Sequence, residues 1–331
     1  MRKVCVEMII TRITAGMGNQ MFMYAAGLSL SHRLNTELKL HLHGVSANSF
    51  RKYSLNVFPN ITEARASLRE VYKFAPFIAA AEYFRVRGNS IFKHPFRRLL
   101  YEFMSRTGLL ETGRAERRPR VPGVALAPIP FSRVYFPPDA SYPEEFTSIQ
   151  DNTYITGFWE SEKFFKDIAA LVRRKFTFPA ECFDEGLKAR VKSCSSVALH
   201  VRLGDKAANN EDKSYVSRII RFTKSALAKI EELTDEPKFF VFSDDVKWCR
   251  ENLPGIYDAE YTFIDGQTPA QDMALMTQCR HVITSASTFS WWGAWLNENP
   301  SKIVITPDVN LWYPNAKDRG DLLPPDWLKI G

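Results

Sequence analysis

The chain has 331 residues, long enough for two domains of ordinary size. Its 45% hydrophobic and 13% aromatic content excludes a mostly disordered chain, and no apolar run reaches the roughly eighteen residues of a membrane span. The net charge of +7 is local: residues 85–120 hold ten Lys/Arg against three Asp/Glu, an excess equal to that of the whole chain. That segment also carries Phe92, Phe96, Leu99, Leu100, Tyr101 and Phe103. It reads as a peripheral membrane contact, a face for an acidic partner, or a solvated helix. No nucleic-acid-binding motif accompanies it.

Met1 to Arg12 opens with two cations and an apolar stretch interrupted by Glu7. It is too short for a signal peptide, lacks a small-residue cleavage site, and reads as a first strand. Ala15-Gly16-Met17-Gly18 breaks it, and Gln20 to Leu34 takes a helical apolar period. Leu38–Leu42 reads as the next strand, the Pro/Arg-rich stretch 114–143 as surface loops, Tyr154–Phe158 as a strand and Glu160–Lys175 as an amphipathic helix. Strands then alternate with helices: Ser196–Val201, helix 215–233, Lys238–Phe242, a helix through Trp248, Tyr261–Ile264, a helix from Pro269 to Arg280, Val282–Thr284 and Ile303–Thr306. Such alternation predicts an α/β fold with a mostly parallel sheet, whose ligands sit at the carboxyl ends of its strands. The five cysteines (Cys5, Cys182, Cys194, Cys249, Cys279) are scattered, which argues against a disulfide framework or zinc site and for a reducing compartment.

Three loops fall on that carboxyl edge. In His200-Val201-Arg202-Leu203-Gly204-Asp205, a guanidinium follows a strand with a glycine close by, suited to clamping two phosphate oxygens or to pairing with Asp205. In Phe242-Ser243-Asp244-Asp245, the carboxylates are placed to accept from a base or ribose, or to cap the next helix. The third, Thr284-Ser285-Ala286-Ser287-Thr288, leads hydroxyls into Phe289-Ser290-Trp291-Trp292-Gly293-Ala294-Trp295, which holds three of the seven tryptophans. Strand, tight loop and helix in that order direct backbone N–H groups at one point, a geometry suited to phosphate, with the tryptophans as its wall; a core helix with a hydroxyl cap is the plainer alternative. The turn Gly16-Met17-Gly18-Asn19-Gln20 has only two glycines of a dinucleotide fingerprint, Met21 standing where the third belongs. No pattern reads as a nucleophile elbow, Walker loop or metal constellation.

These motifs, with Gly157-Phe158-Trp159-Glu160-Ser161-Glu162-Lys163-Phe164-Phe165 between them, follow one another from residue 15 to 297. In that order and register the chain resembles the α-1,2-fucosyltransferases of glycosyltransferase family eleven. The resemblance implies a GT-B architecture, two Rossmann-like domains facing across a cleft. It divides the chain into an acceptor-side domain (1–190, with the basic insertion at 85–120) and a GDP-sugar domain (191–331), whose tail packs back on the first. It implies inverting transfer of fucose from GDP-fucose to a galactose-terminated or lipid-linked glycan, without a metal. The roles it implies are Arg202 as the diphosphate clamp and Asp205 as the base, Glu211 being a further acid behind it. His200, Asp244, Asp245, Ser285, Ser287, Thr288, Gly16 and Gly18 fall to the donor, and Asn19 and Gln20 to the fucose or acceptor. The family pattern has a second Arg where this chain has Leu203, which puts in doubt any role needing two cations. With no anchor segment, the expectation is a bacterial cytoplasmic enzyme, peripheral on the inner membrane face if 85–120 binds there. The alternatives are a transferase with another nucleotide-sugar donor and a non-catalytic glycan-binding protein.

Overall fold

The expected strand, turn and helix at the N-terminus are present in the computed structural model. It describes residues 7–42, 45, 52–76, 78, 134–135, 142–204, 213–313 and 321–331. Asp205, Glu211, the basic segment 85–120 and most of the stretch 114–143 lie outside the described residues. Strand β1 (Met8–Arg12) is buried along its whole length. The helix Met17–Leu34 begins earlier than the apolar period suggests, because Gly16 takes the extended cap position. It ends where Asn35 turns left-handed at φ 51°, a conformation Asn tolerates better than most residues.

Strand β2 (Glu37–His41) lies parallel to β1, with Ile9 opposite Leu38. Two short strands escape the sequence pattern: β3 (Ala64–Arg65) and β4 (Val134–Tyr135), each of two residues. With β5 (Thr153–Ile155) they make a parallel sheet in the order β3-β2-β1-β5-β4. Its helix needs close approach: a Cβ on Gly27 would lie 2.9 Å from Thr11 Cβ and 3.1 Å from Leu38 Cδ1. Gly27 thus provides the tight helix–strand packing that the missing third glycine of the fingerprint serves elsewhere.

The second sheet comprises β6 (Ser196–Val201), β7 (Lys238–Ser243), β8 (Tyr261–Phe263), β9 (His281–Ile283), β10 (Val304–Pro307) and β11 (Leu328–Ile330). All its pairings are parallel, in the order β11-β10-β9-β6-β7-β8. Numbered from β6 and read from the β8 edge, this is the doubly wound order 3-2-1-4-5-6. The amphipathic helix Lys213–Leu233 covers it with Tyr215, Ile219, Phe222, Ala226 and Ile230, one face at helical spacing, against Val197, Leu199 and Val201.

The chain divides into two compact units, one formed by 1–54, 62–159 and 163–169, the other by 55–61, 160–162 and 170–331. The second therefore takes in residues ahead of the expected boundary at 191. The tail adds β11 beside β10 in its own sheet, Trp291 donates from Nε1 to the Leu322 carbonyl at 2.9 Å, and in the same unit Ser161, ahead of the expected boundary, donates to the Asp321 carbonyl at 2.7 Å. The single helix expected over 160–175 is instead two 3-10 turns, Glu162–Phe164 and Lys166–Ile168, followed by the helix Ala169–Lys175. Tertiary packing overrides the helical period there: Phe164 packs edge-on against Phe146 and Trp159, and Phe165 against Phe22. Two parallel-sheet α/β units in one chain are the components of the GT-B plan.

Gly27→Ala forces Cβ into Thr11 and is expected to destabilise the protein by about 1–3 kcal/mol. Denaturant unfolding measures this; a midpoint equal to that of the unaltered chain contradicts the close-packing role.

Candidate active site

In a doubly wound sheet the ligand crevice opens where the strand order reverses. In the C-terminal unit that point lies between β6 and β9, which pair side by side while their chains run on to opposite edges. The loops leaving these strands at the carboxyl edge are Arg202–Gly204 and Thr284–Ser287, two of the three singled out above.

Arg202 is held by Asp244, from the loop after β7. Arg202 Nη1 lies 2.9 Å from Asp244 Oδ2. The same carboxylate accepts the backbone N–H of Leu203 at 3.0 Å and of Gly204 at 2.8 Å. One carboxylate thus fixes both the guanidinium and the backbone that carries it. Gly204 sits at φ +62°, and a Cβ there would lie 3.3 Å from Arg202 Nε, so the turn is left-handed and crowded together. Leu203, at the position of the family's second Arg, is 4% exposed and packs in the core with Val201 and Tyr215. The second cation is therefore replaced by core packing, and Arg202 alone carries the charge of the described part of this loop.

Across the crevice, Ser287 caps the helix Thr288–Leu296, its Oγ accepting from Phe289 N at 3.3 Å. Ser285 is buried, and its hydroxyl meets His200 Nδ1 at 2.7 Å. Ser290 Oγ takes the Ser285 N–H at 3.2 Å and donates to the Ser287 carbonyl at 3.1 Å. The turn is thereby tied to β6 from inside, while Ser287 and Thr288 keep partial exposure. Burial pushes the His200 imidazole down to about 4, Asp244 opposing and Arg202 assisting the shift. It is neutral at ordinary pH, and its ring lies 5.5 Å from that of Phe289. The tryptophans pack inward: Trp291 and Trp292 are fully buried, and Arg173 lies 4.1 Å over the Trp295 ring.

Asp245 caps the helix Val246–Ile256 by accepting from Trp248 N at 2.9 Å, the capping alternative raised by its position. Sequence reasoning missed Asp272. It stands in the first turn of the helix Pro269–Met276, which follows β8 and so starts at the same edge. Its Oδ1 is buried with no hydrogen-bond partner among the described residues. Burial first, and then Asp265, raises its carboxyl to about 7. This helix packs against Thr288–Leu296 so tightly that a Cβ on Gly293 would lie 3.0 Å from Met276 Cε. The contact joins the last residue of one helix to the second half of the other. The Thr268-Pro269 start with Gln271 three residues after the cap, a capping box in the structure, was the available sequence signal: it places an acid at a helix start on the ligand edge.

In the N-terminal unit, the corresponding reversal lies between β1 and β5. Ala15 adopts φ +62° and Gly157 φ +144° in the loops that leave them. Gly16 and Asn19 are partly exposed and Gly18 is buried. Gln20 is fully buried; its Nε2 donates to the carbonyls of Ala15 at 2.8 Å and Lys52 at 2.9 Å, and its Oε1 accepts from Ser54 N at 2.9 Å. Both of its donors are thus engaged in tying the Ala15 turn to the 52–54 segment. It acts as a pin for that turn.

Among the described residues, no group of three or more His, Cys, Asp or Glu could hold a metal ion. A cation, hydroxyls and helix N-termini in loops at one sheet edge are groups of the kind that phosphate sites use.

Comparison with known proteins agrees with that chemistry. The chain is 27% identical to an alpha-1,2-colitosyltransferase of Escherichia coli over 98% of its own length and 99% of the relative's. It is 32% identical to the O-antigen biosynthesis glycosyltransferase WbnK of Escherichia coli, over 43% of this chain and 47% of WbnK. To galactoside alpha-(1,2)-fucosyltransferase 1 of Mus musculus it is 31% identical, over 46% and 44% of the two chains. Among solved structures, the fucosyltransferase NodZ from Bradyrhizobium superposes with a TM-score of 0.45 at 17% identity, covering 87% of this chain and 91% of NodZ. The model of glycosyl transferase family 11 matches residues 140–330, more than half of the chain, and the protein belongs to that family of enzymes.

Proposed function

We propose that the enzyme is an inverting α-1,2-fucosyltransferase that moves L-fucose from GDP-β-L-fucose to the 2-hydroxyl of a terminal galactose. The observation that carries this reading is the position of Arg202, clamped by Asp244 at the switch point beside the Ser285–Thr288 turn. In the reaction the acceptor oxygen attacks fucose C1 from the face opposite the nucleotide, the C1–O(phosphate) bond breaks, and GDP leaves with the bonding pair. The acceptor proton passes to a base, a role assigned to Asp205. Arg202, Ser287, Thr288 and the N-terminus of the tryptophan helix stabilise the charge growing on the diphosphate, each such donor contributing about 3–4 kcal/mol where it resembles an oxyanion-hole donor.

Phe289 offers a flat apolar surface to the base, with the buried, neutral His200 supporting its ring from within. Asp272 supplies an acceptor for the N1–H and amino group that distinguish guanine from adenine. Asp244 and Gln20 act as positioning residues, and Ser285 supports from behind. Asp245 is placed at the ribose, and Asn19 with the Gly16–Gly18 backbone at the fucose or acceptor. On this reading the N-terminal half, through residue 190, is the acceptor side, and the C-terminal half holds the donor.

The acceptor is a galactose-terminated oligosaccharide or a lipid-linked glycan. None of the described helices is long and apolar enough to cross a membrane. The placement proposed is the cytoplasm, with 85–120 as the contact to an inner membrane face. The full-length likeness to a colitosyltransferase favours one second reading, a GDP-linked colitose as donor, a sugar that lacks the 3-hydroxyl of fucose.

Incubation with each GDP-sugar and a panel of galactosides, read by mass spectrometry, tests both. The mass gain of one fucose on a galactoside is expected; gain from colitose alone selects the second reading, and no gain from either overturns both. Arg202→Ala is expected to lower kcat by at least about 10²–10³-fold with an unchanged unfolding midpoint, and wild-type turnover in that variant removes the clamp from the mechanism. Transfer is expected to continue at its full rate in EDTA; loss that Mg²⁺ or Mn²⁺ restores contradicts a metal-free reaction.

Asp272 generates a pH-dependent expectation. Its folded carboxyl titrates near about 7, above the ordinary 3.8, so the folded state holds the extra proton and stability falls as pH rises through that window. Asp272→Asn is therefore expected to raise Tm at pH 8, with the gain fading towards pH 4, and to weaken GDP binding at pH 8, where the carboxylate accepts both N–H groups, more than at pH 4. An equal Tm difference at both pH values contradicts the buried carboxylate, and unchanged GDP affinity contradicts base recognition.

A further inference from the structure

The C-terminal unit has a second concavity at the other end of its strands. Cys194 precedes β6, Thr277 to Arg280 precede β9, and Glu298 and Asn299 lie between the tryptophan helix and β10; all line one cavity of about 610 Å³. These positions put it at the amino edge of the sheet, about 20 Å along a six-residue strand from the Arg202 loop. Its volume is that of a small-molecule site.

The lining is unusual in charge. Arg173, Lys192 and Arg280 are its cations and Glu298 its single carboxylate, so three charges against one leave a surplus of two. None of the three cations lies within ion-pair distance of a carboxylate among the described residues. Arg173 is partly buried over the Trp295 ring, and its Nη1 is enclosed with no acceptor among the described residues. Phe176, Phe178 and Phe183 supply apolar walls.

Cations at this edge have a plain structural use, because helix C-termini present unpaired carbonyls there. For the tryptophan helix that use is already filled: Lys302 Nζ donates to the carbonyls of Ala294 at 2.8 Å and Asn297 at 2.5 Å. Helix Pro269–Met276 closes through Thr277, whose N–H returns to Met273, and Gln278, whose N–H returns to Leu275. The side chains of Arg173, Lys192 and Arg280 cap neither helix.

We infer that this amino-edge cavity binds an organic phosphomonoester with a flat apolar group, its dianion between Arg173, Arg280 and Lys192 and its ring against the phenylalanines. Two negative charges match the surplus, guanidinium forks suit phosphate oxygens, and the aromatic walls require more than a bare ion. The inference is independent of which sugar the switch-point site transfers.

Phenyl phosphate is the probe, titrated calorimetrically into the full chain carrying Arg202→Ala, so that the phosphate clamp at the carboxyl edge is absent. One-to-one binding is expected, at least tenfold tighter than that of inorganic phosphate or phenol. Adding Arg280→Glu or Lys192→Glu, both at exposed positions where folding is retained, is expected to weaken it at least tenfold, as is Arg173→Gln. No saturable binding, or affinity unchanged by both exposed charge reversals, overturns the site. Equal affinity for inorganic phosphate overturns the aromatic part of its specificity.

Discussion

One carboxylate organises the ligand edge of the C-terminal unit. Asp244 receives the Arg202 guanidinium and two consecutive backbone N–H groups, those of Leu203 and Gly204. The ion pair is partly exposed and by itself contributes little to stability. Its importance is geometric. A flexible arginine after a strand end could point in many directions; here its charge and its backbone are referred to the same two oxygens. The left-handed Gly204 and the inward-facing Leu203 follow from that clamp, since the backbone must turn back to reach Asp244 while the side chain between them enters the core.

At the same sheet edge, burial shifts two other groups towards their neutral forms. His200 is buried and its pKa depressed to about 4, and Asp272 is buried and raised to about 7. The two act on stability in opposite directions. For His200 the unfolded chain binds the proton more readily, so stability rises with pH between about 4 and 6.5. For Asp272 the folded chain does, and stability falls between 3.8 and about 7. On the proposed reading, a diphosphate at this edge meets one oriented cation, Arg202, which stays partly open to solvent. An unpaired carboxyl oxygen held there is destabilising to the empty protein, the kind of strain that binding sites retain and cores eliminate.

The two units place their loops by the same rule. In each, an all-parallel sheet reverses its strand order beside its first strand, and the signature residues lie in the loops flanking that reversal. In the N-terminal unit a buried Gln20 steadies the turn, and in the C-terminal unit Asp244 and Ser285 do so. Supporting groups of this kind contribute by fixing the rotamers and backbone of the residues that face the ligand.

The sequence by itself determined the alternation of strands and helices from Ser196 onward, the carboxyl-edge loops, the arginine before its glycine and the tryptophan helix with its serine cap. Each is local: an apolar period, a cap or a turn is written in neighbouring residues. Tertiary structure alone decided which of the chosen polar residues face outward. Ser285 and Gln20 turned inward to hold their loops, Asp245 served a helix end, and Asp272 kept a buried oxygen with no partner among the described residues. Two-residue strands such as β3 and β4, the broken helix over 160–175 and the tail strand β11 were equally illegible. Their stability comes from partners far along the chain, and a hydrogen bond to a distant strand or a ring contact such as Phe165 on Phe22 leaves no period in the sequence to read.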